Sequence, residues 1–170
     1  LAEAEQTYRA VLARDPDYRG AWLNLGNVLS DQDRLDEAVA AYRRALAADP
    51  GDAGLERNLG VALYQQGRIE DAIGHYQRAL ALAPDDVAAL RLLGRALHEA
   101  GRLEEAAQVY RRSARDPGDH VVLSNLAACL CELGQLDEAL EAVERALALN
   151  PDYALAHTNR GIILEARDDL

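Results

Sequence analysis

Apolar residues recur along the chain every three to four positions, in short stretches that glycine or proline ends. One such stretch, GLERNLGVALYQQ from residue 54, carries its leucines at helical spacing and is followed by Gly67. The next, IEDAIGHYQRALALA, has a new apolar stripe and is closed by Pro84. This spacing is typical of amphipathic helices, and glycine and proline commonly mark helix ends. The sequence therefore predicts pairs of helices, and it shows no period-two pattern of a strand.

The helix pairs repeat with a nearly constant period. Five prolines mark it, at intervals of 34, 34, 33 and 34 residues: Pro16, Pro50, Pro84, Pro117 and Pro151. Small residues keep the same phase in the first helix of each pair: Gly26, Gly60, Gly94, Ala127 and Gly161. The second helices carry an aromatic residue or valine, which we expect in the core: Tyr8, Tyr42, Tyr76, Tyr110 and Val143. A period of this length is typical of helical solenoids, whose repeats pack on their neighbours.

The phase of the prolines divides the chain into repeats. Four complete repeats and two half repeats are expected, at 19–52, 53–86, 87–119 and 120–153, flanked by 1–18 and 154–170. This predicts a single array of ten helices, with four pairs and a lone helix at each end. The 33-residue interval predicts an early helix end or a tighter turn between Arg115 and Pro117. Because the chain starts and stops at the same phase and has no methionine, we expect it to be part of a longer array.

The stretch from Trp22 to Pro50 resembles the tetratricopeptide repeat. Its first helix, WLNLGNVL, and its second, EAVAAYRRALAADP, carry the family's tryptophan, glycine, alanine, tyrosine and closing proline. The resemblance covers the whole chain, with departures such as Glu56 and His157 at the position of Trp22 and Val143 at a tyrosine position. It implies an all-α fold, a right-handed α-solenoid of antiparallel helix pairs. It also implies a scaffold that binds an extended peptide or a segment of a partner protein in a concave groove.

One face of the first helices carries polar residues without an evident packing role. We call the positions seven, eight, eleven and fourteen after each proline the first-helix face. Four of its five repeats have asparagine at the eighth position: Asn24, Asn58, Asn125 and Asn159. The other predicted binding residues on this face are Asn27, Arg57, Tyr64, Arg91, Arg95 and His98. Asparagine is a mediocre helix former, so helix propensity does not explain why it recurs at this position.

Two explanations of the asparagines stay open. In tetratricopeptide arrays this face lines the groove, and the asparagines resemble the ladder in the peptide-binding arm of O-linked GlcNAc transferases. Carboxamides in such a ladder can hold the backbone of a peptide largely regardless of its sequence. The alternative is that these asparagines are inherited consensus residues, hydrogen-bonded within the scaffold.

Three arginines on the same face suggest a basic patch. Arg57 and Arg91 occupy one position in successive repeats, and Arg95 lies one helical turn beyond Arg91. Because packed helices lie about 10 Å apart, their guanidinium groups can converge on a carboxylate or phosphate of an acidic partner. The alternative is that each arginine pairs with an acidic neighbour, for example Glu56 or Glu99.

Composition excludes several classes of function. The 29 acidic and 18 basic residues give a net charge of −11, which argues against nucleic-acid partners and anionic membranes. Neither a membrane span nor a secretory leader is visible, so we expect a cytoplasmic protein. Cys129 and Cys131, two apart on one helix, point about 200° apart and cannot clasp one metal ion. Without a catalytic motif or a metal-ligand spacing, we expect no enzyme, no cofactor and no metal site.

Two further hypotheses differ from a peptide-binding scaffold. In the first, the chain is the recognition arm of a larger enzyme, such as a glycosyltransferase, whose catalytic domain lies outside these 170 residues. In the second, the chain self-associates through its terminal helices, which lack the polar caps that solenoid ends normally have. A clamp for chaperone tails is not expected, because Leu23, Ala88 and Leu92 stand where that clamp has basic residues.

Overall fold

Ten α-helices make up most of the protein in a computed structural model that describes residues 1–114 and 119–168. In chain order they are α1 (Ala2–Arg14), α2 (Arg19–Asp31), α3 (Leu35–Ala48), α4 (Ala53–Gln65), α5 (Ile69–Leu82), α6 (Val87–Glu99), α7 (Leu103–Ser113), α8 (His120–Glu132), α9 (Leu136–Leu149) and α10 (Ala154–Asp168). No strand occurs among the described residues. The predicted all-helical fold is confirmed.

The second helix of the third complete repeat is shorter than its counterparts. Helix α7 has 11 residues, whereas α3, α5 and α9 each have 14. The turn predicted to absorb the missing residue, between Arg115 and Pro117, lies outside the described residues.

The chain divides into two compact units, residues 1–89 and 90–170. In the first unit, α1 packs on α2, α2 on α3, α3 on α4 and α4 on α5. In the second unit, α7 packs on α8, α8 on α9 and α9 on α10, and α10 also contacts α8. Within each unit the helices thus contact those next to them in the sequence, as in stacked helical hairpins.

Paired helices approach closely where a glycine of the first helix faces a tyrosine ring of the second. The pairs are Gly26 with Tyr42, Gly60 with Tyr76, and Gly94 with Tyr110. A Cβ atom on Gly60 would lie 2.6 Å from Cε1 of Tyr76, closer than the 3.0 Å that real Cβ atoms respect. The fourth complete repeat has Ala127 and Val143 at these two positions. Where the first helix carries alanine instead of glycine, the second helix therefore carries valine instead of the larger tyrosine.

A residue in the left-handed conformation follows the first helix of each complete repeat. The φ angles are 59° at Asp33, 75° at Gly67, 73° at Gly101 and 72° at Gly134. After each of them the chain makes the closing hydrogen bond of a Schellman motif. In the second complete repeat, for example, the Arg68 N–H donates to the Leu63 carbonyl at 3.0 Å.

A shared hydrogen bond explains why histidine can replace tryptophan at the position of Trp22. The indole Nε1–H of Trp22 donates to the carbonyl of Pro16 at 2.7 Å. His157 stands at this position in the last repeat, and its Nε2 lies 2.7 Å from the carbonyl of Pro151. Because a carbonyl can only accept, the His157 ring must carry its proton on Nε2. Histidine thus replaces tryptophan while it keeps the ring N–H that holds the proline turn.

Candidate functional site

In the first unit, polar residues of α2 and α4 meet at a shallow pocket above the buried ring of Tyr42. The Tyr42 hydroxyl donates to Oδ1 of Asn27 at 2.9 Å, and Nδ2 of Asn58 lies 3.4 Å from the same oxygen. The pocket has a volume of about 170 Å³ and is lined by Asn27, Ser30, Asp31, Tyr42, Asn58 and Val61. The structure thus brings together two of the predicted binding residues, Asn27 and Asn58.

The hydroxyl of Tyr42 is a site component that the sequence analysis missed. Burial raises the pKa of Tyr42 to about 12, and the nearby Asp31 carboxylate adds to this shift. The hydroxyl therefore stays protonated near neutral pH and remains a hydrogen-bond donor. The sequence does contain a signal for this polar contact. Asn27 is the only asparagine or glutamine at the eleventh position after a proline, and Val61 stands there in the next repeat.

The recurring asparagines fall into different environments. Asn24 is exposed and Asn125 is half-buried, and neither side chain makes a hydrogen bond to any residue that the structure describes. Asn159 is buried, and its Nδ2 donates to both the carbonyl and Oγ of Ser124 at 3.0 Å. The amide of Asn159 therefore ties α10 to α8, whereas the amides of Asn24 and Asn125 have no such partner among the described residues.

Two of the arginines on this face pair with aspartates. Arg57 pairs with Asp86, and a guanidinium nitrogen of Arg91 lies 3.8 Å from Asp119. Each aspartate also accepts hydrogen bonds of 3.0–3.1 Å from backbone N–H groups in the first turn of the following helix, α6 or α8. Each of these carboxylates thus caps one first helix and binds an arginine of the preceding one. Such a cap typically contributes about 1 kcal/mol.

Glu56 is not the partner of Arg57 that the sequence analysis suggested. Its side chain is buried, with Oε2 at 2.6 Å from Nδ1 of His75 and 3.3 Å from Nε of Arg78. Burial lowers the pKa of His75, and the hydrogen bond that the Glu56 carboxylate accepts from it opposes that shift. At a position occupied elsewhere by tryptophan, leucine or histidine, Glu56 turns toward the second helix of its own repeat.

The other predicted residues of the first-helix face lie as follows. Nε2 of His98 contacts Oε1 of Glu132 at 2.7 Å, which links α6 to α8 in the second unit. Arg95 is exposed, and Tyr64 is half-buried. Arg57 belongs to the first unit and both Arg91 and Arg95 belong to the second. Convergence of the three arginines therefore stays a prediction.

Other chemistry of the described residues is limited. Within residues 1–114 and 119–168, no three side chains of histidine, cysteine, aspartate or glutamate are grouped so as to hold a metal ion. Burial raises the pKa of Cys129 to about 12, so that its thiol stays protonated. In the same part of the chain, none of the helices has the length and apolarity that crossing a bilayer requires.

The stacked hairpins and the polar first-helix face define a helical repeat protein. Three family models described as tetratricopeptide repeat match the sequence, at residues 17–85, 57–120 and 97–160. The chain belongs to the tetratricopeptide-repeat family. A comparison with curated proteins found no match.

Several solved structures share this fold. YrrB, described as a tetratricopeptide-repeat protein with an unusual peptide-binding site, is 21% identical, with a TM-score of 0.84 over 95% of this chain and 84% of its own. MamA from Desulfovibrio magneticus RS-1 is 21% identical, with a TM-score of 0.85 over 90% of this chain and 87% of its own. A further MamA structure is 24% identical, with a TM-score of 0.84 over 88% of each chain. At these identities the likeness concerns the fold.

Proposed function

We propose that this protein is an interaction scaffold that binds an extended peptide, or an extended segment of a partner protein, along the first-helix face. The observation that carries the proposal is that the carboxamides of Asn24 and Asn125 make no hydrogen bond within the described residues. Both stand at a position where asparagine recurs. The description of YrrB as having a peptide-binding site supports the same use of the fold.

The chemistry of a carboxamide suits a peptide backbone. Each one offers two N–H donors and one carbonyl acceptor, which complement the carbonyl and N–H of a peptide bond. In an extended segment the backbone N–H and carbonyl groups are unpaired. Each repeat that carries such an asparagine can therefore bind one peptide bond of the segment. This mode, which we propose by analogy with the peptide-binding arm of O-linked GlcNAc transferases, gives affinity with little dependence on sequence. Selectivity then comes from side-chain pockets between the asparagines.

We infer that the chain itself performs no catalysis and acts in the cytoplasm on protein partners. The excess of acidic residues supports a partner other than nucleic acid or an anionic membrane. The same face would serve equally as the substrate-recognition arm of a larger enzyme. The domain composition of the parent gene distinguishes an autonomous scaffold from such an arm.

An acidic group on the partner is a finer proposal, supported by Arg57, Arg91 and Arg95 on this face. Since Asp86 and Asp119 already neutralise two of these arginines, a ligand carboxylate or phosphate would have to displace them. Binding of phosphorylated peptides that weakens with salt and with Arg57→Ala/Arg91→Ala would support it. Equal affinity of the variant would contradict it.

Self-association is a second candidate function, favoured by the surface of α10. A Cβ atom on Gly161 would have no neighbour within 4 Å, although a tyrosine ring fills the corresponding site in α2, α4 and α6. Leu155, Ile162 and Leu164 on the same helix are exposed. Tyr8 of α1 occupies the same repeat position as the tyrosines that fill the other sites. We propose that α1 of a second copy packs on α10.

Sedimentation velocity over a wide dilution series tests the self-association. A larger species should form as concentration rises, and Leu164→Glu should shift its formation to higher concentration. A strictly monomeric protein, with both terminal helices protected from hydrogen exchange, would exclude this contact.

The peptide-binding proposal is tested by selection from a bead-bound library of short random-sequence peptides. We expect the variant Asn24→Ala/Asn58→Ala/Asn125→Ala to bind the selected peptides at least about tenfold more weakly than the wild type. Each lost hydrogen bond costs about 0.5–1.5 kcal/mol, and 1.4 kcal/mol corresponds to a factor of ten. Circular dichroism should show unchanged helix content.

The matched control is Gln6→Ala/Gln77→Ala/Gln108→Ala. It removes three exposed carboxamides from α1, α5 and α7, each of which is the second helix of its repeat. It should bind the selected peptides as the wild type does. If both triple variants bind equally well, the first-helix face is not the binding surface.

A further inference from the structure

The pocket between α2 and α4 contains a carboxylate without a counterion. Asp31 lines this pocket and is exposed, and it makes no ion pair with any residue in the described part of the chain. The arginines of the first unit nearest in sequence are engaged elsewhere, since Arg19 pairs with Asp52 and Arg34 pairs with Glu5 and Glu37. The negative charge of Asp31 is thus left for a ligand.

The remaining polar atoms of the pocket are mainly acceptors. Oδ1 of Asn27 already receives the hydroxyl of Tyr42 and the amide of Asn58. The Tyr42 hydroxyl uses its one proton in that bond, so its oxygen can only accept a further hydrogen bond. Ser30 adds a hydroxyl that is itself hydrogen-bonded to Tyr42 and keeps acceptor capacity on its oxygen, and Val61 adds an apolar wall. A ligand group that fits this set carries several donors, a positive charge and an apolar stem.

The place of Asp31 on its helix adds to the preference for a cation. Asp31 is the last residue of α2, where the helix macrodipole presents its negative end. A carboxylate there is unfavourable in the free protein, whereas a cation near it interacts favourably with both the carboxylate and the helix end. The protein has a net charge of −11, which also favours approach of a basic segment.

We propose that this pocket binds the ammonium or guanidinium group of a lysine or arginine side chain of the bound peptide. Asp31 supplies the charge, Ser30 and Tyr42 accept hydrogen bonds, and Val61 contacts the methylene stem. The assignment rests on the proposed peptide-binding function and adds a sequence preference to it. It places a basic residue of the ligand at the first unit, beside the amides of Asn27 and Asn58.

The test uses three small probes and nuclear magnetic resonance. The lysine and arginine probes are Nα-acetyl-lysine amide and Nα-acetyl-arginine amide, and Nα-acetyl-norleucine amide is the uncharged analogue of the lysine probe. We expect one or both charged probes to shift the side-chain amide signals of Asn27 and Asn58 saturably, and added salt to weaken the effect. The norleucine probe should leave these signals in place.

Asp31→Asn should weaken binding of the charged probes by about tenfold. It keeps the shape of the side chain and relieves the unfavourable charge at the end of α2, so no loss of stability is expected. The matched control is Asp17→Asn, which removes the same charge from an exposed turn between α1 and α2. That variant should bind the probes as the wild type does.

The outcomes separate this assignment from the proposal on which it rests. Absence of saturable shifts, equal shifts with norleucine, or undiminished binding by Asp31→Asn would each overturn the assignment. If library peptides bind but show no enrichment in lysine or arginine, the peptide-binding function stands and the pocket assignment falls. If the charged probes bind at Asp31 but no library peptide is retained, the peptide-binding proposal falls instead.

Discussion

Replacement of Gly60 by alanine is expected to lower the free energy of unfolding by about 1–3 kcal/mol, the usual cost of overpacking a core. The new Cβ atom would lie 2.6 Å from Cε1 of Tyr76, whose ring is fully buried and cannot move aside freely. Urea unfolding followed by circular dichroism measures the loss. Gly74→Ala is the control, because its Cβ would lie 3.9 Å from the nearest atom, Nη1 of Arg78, which is an ordinary van der Waals distance. It should be neutral or stabilise by up to about 1 kcal/mol, since alanine favours helix.

A second substitution should rescue part of this loss. Tyr76→Val alone leaves a cavity and is expected to cost about 2–5 kcal/mol. Together with Gly60→Ala it recreates the pair found naturally as Ala127 and Val143. The double variant should therefore lose less than the sum of the single losses, by about 1 kcal/mol or more. Additive losses would contradict the view that the glycine exists to accommodate the ring.

Asn159→Ala is expected to lower the free energy of unfolding by about 1–3 kcal/mol, whereas Asn24→Ala should change it by less than about 0.5 kcal/mol. Asn159 is buried, and its loss leaves Ser124 without two hydrogen bonds. Asn24 is exposed on α2, and alanine is the better helix former there. The same urea titrations measure both variants.

These two asparagines separate the alternatives that the sequence left open. A structural role predicts a loss of stability at both positions, and a ligand-binding role predicts a loss of affinity at Asn24 without a loss of stability. A large stability loss from Asn24→Ala would remove the main support for the peptide-binding proposal.

Much of the fold could be predicted because its determinants are local and repeated. The phase of the prolines, the apolar spacing and the glycines that end the first helices each act within one repeat. Even the substitution of Asp33 for a left-handed glycine was predictable, because aspartate tolerates that conformation better than most residues.

The site was less predictable because its contacts join different repeats or different helices. The pairing of Arg57 with Asp86 spans 29 residues, and only the stacking of successive first helices brings the two together. Proximity in the sequence favours Glu56 as the partner of Arg57, but the Glu56 side chain contacts His75 instead. Likewise, the aromatic ring of Tyr42 was predicted to be in the core, but the position of its hydroxyl at the pocket depends on the close approach at Gly26.

The most direct test of the central proposal is where a selected library peptide contacts the protein. Side-chain amide signals of the isotope-labelled protein report this by nuclear magnetic resonance. We expect the peptide to shift the signals of Asn24, Asn27, Asn58 and Asn125 and to leave those of Gln6, Gln77 and Gln108 in place. Shifts confined to the glutamines of α1, α5 and α7, with the asparagine signals unmoved, would contradict binding along the first-helix face.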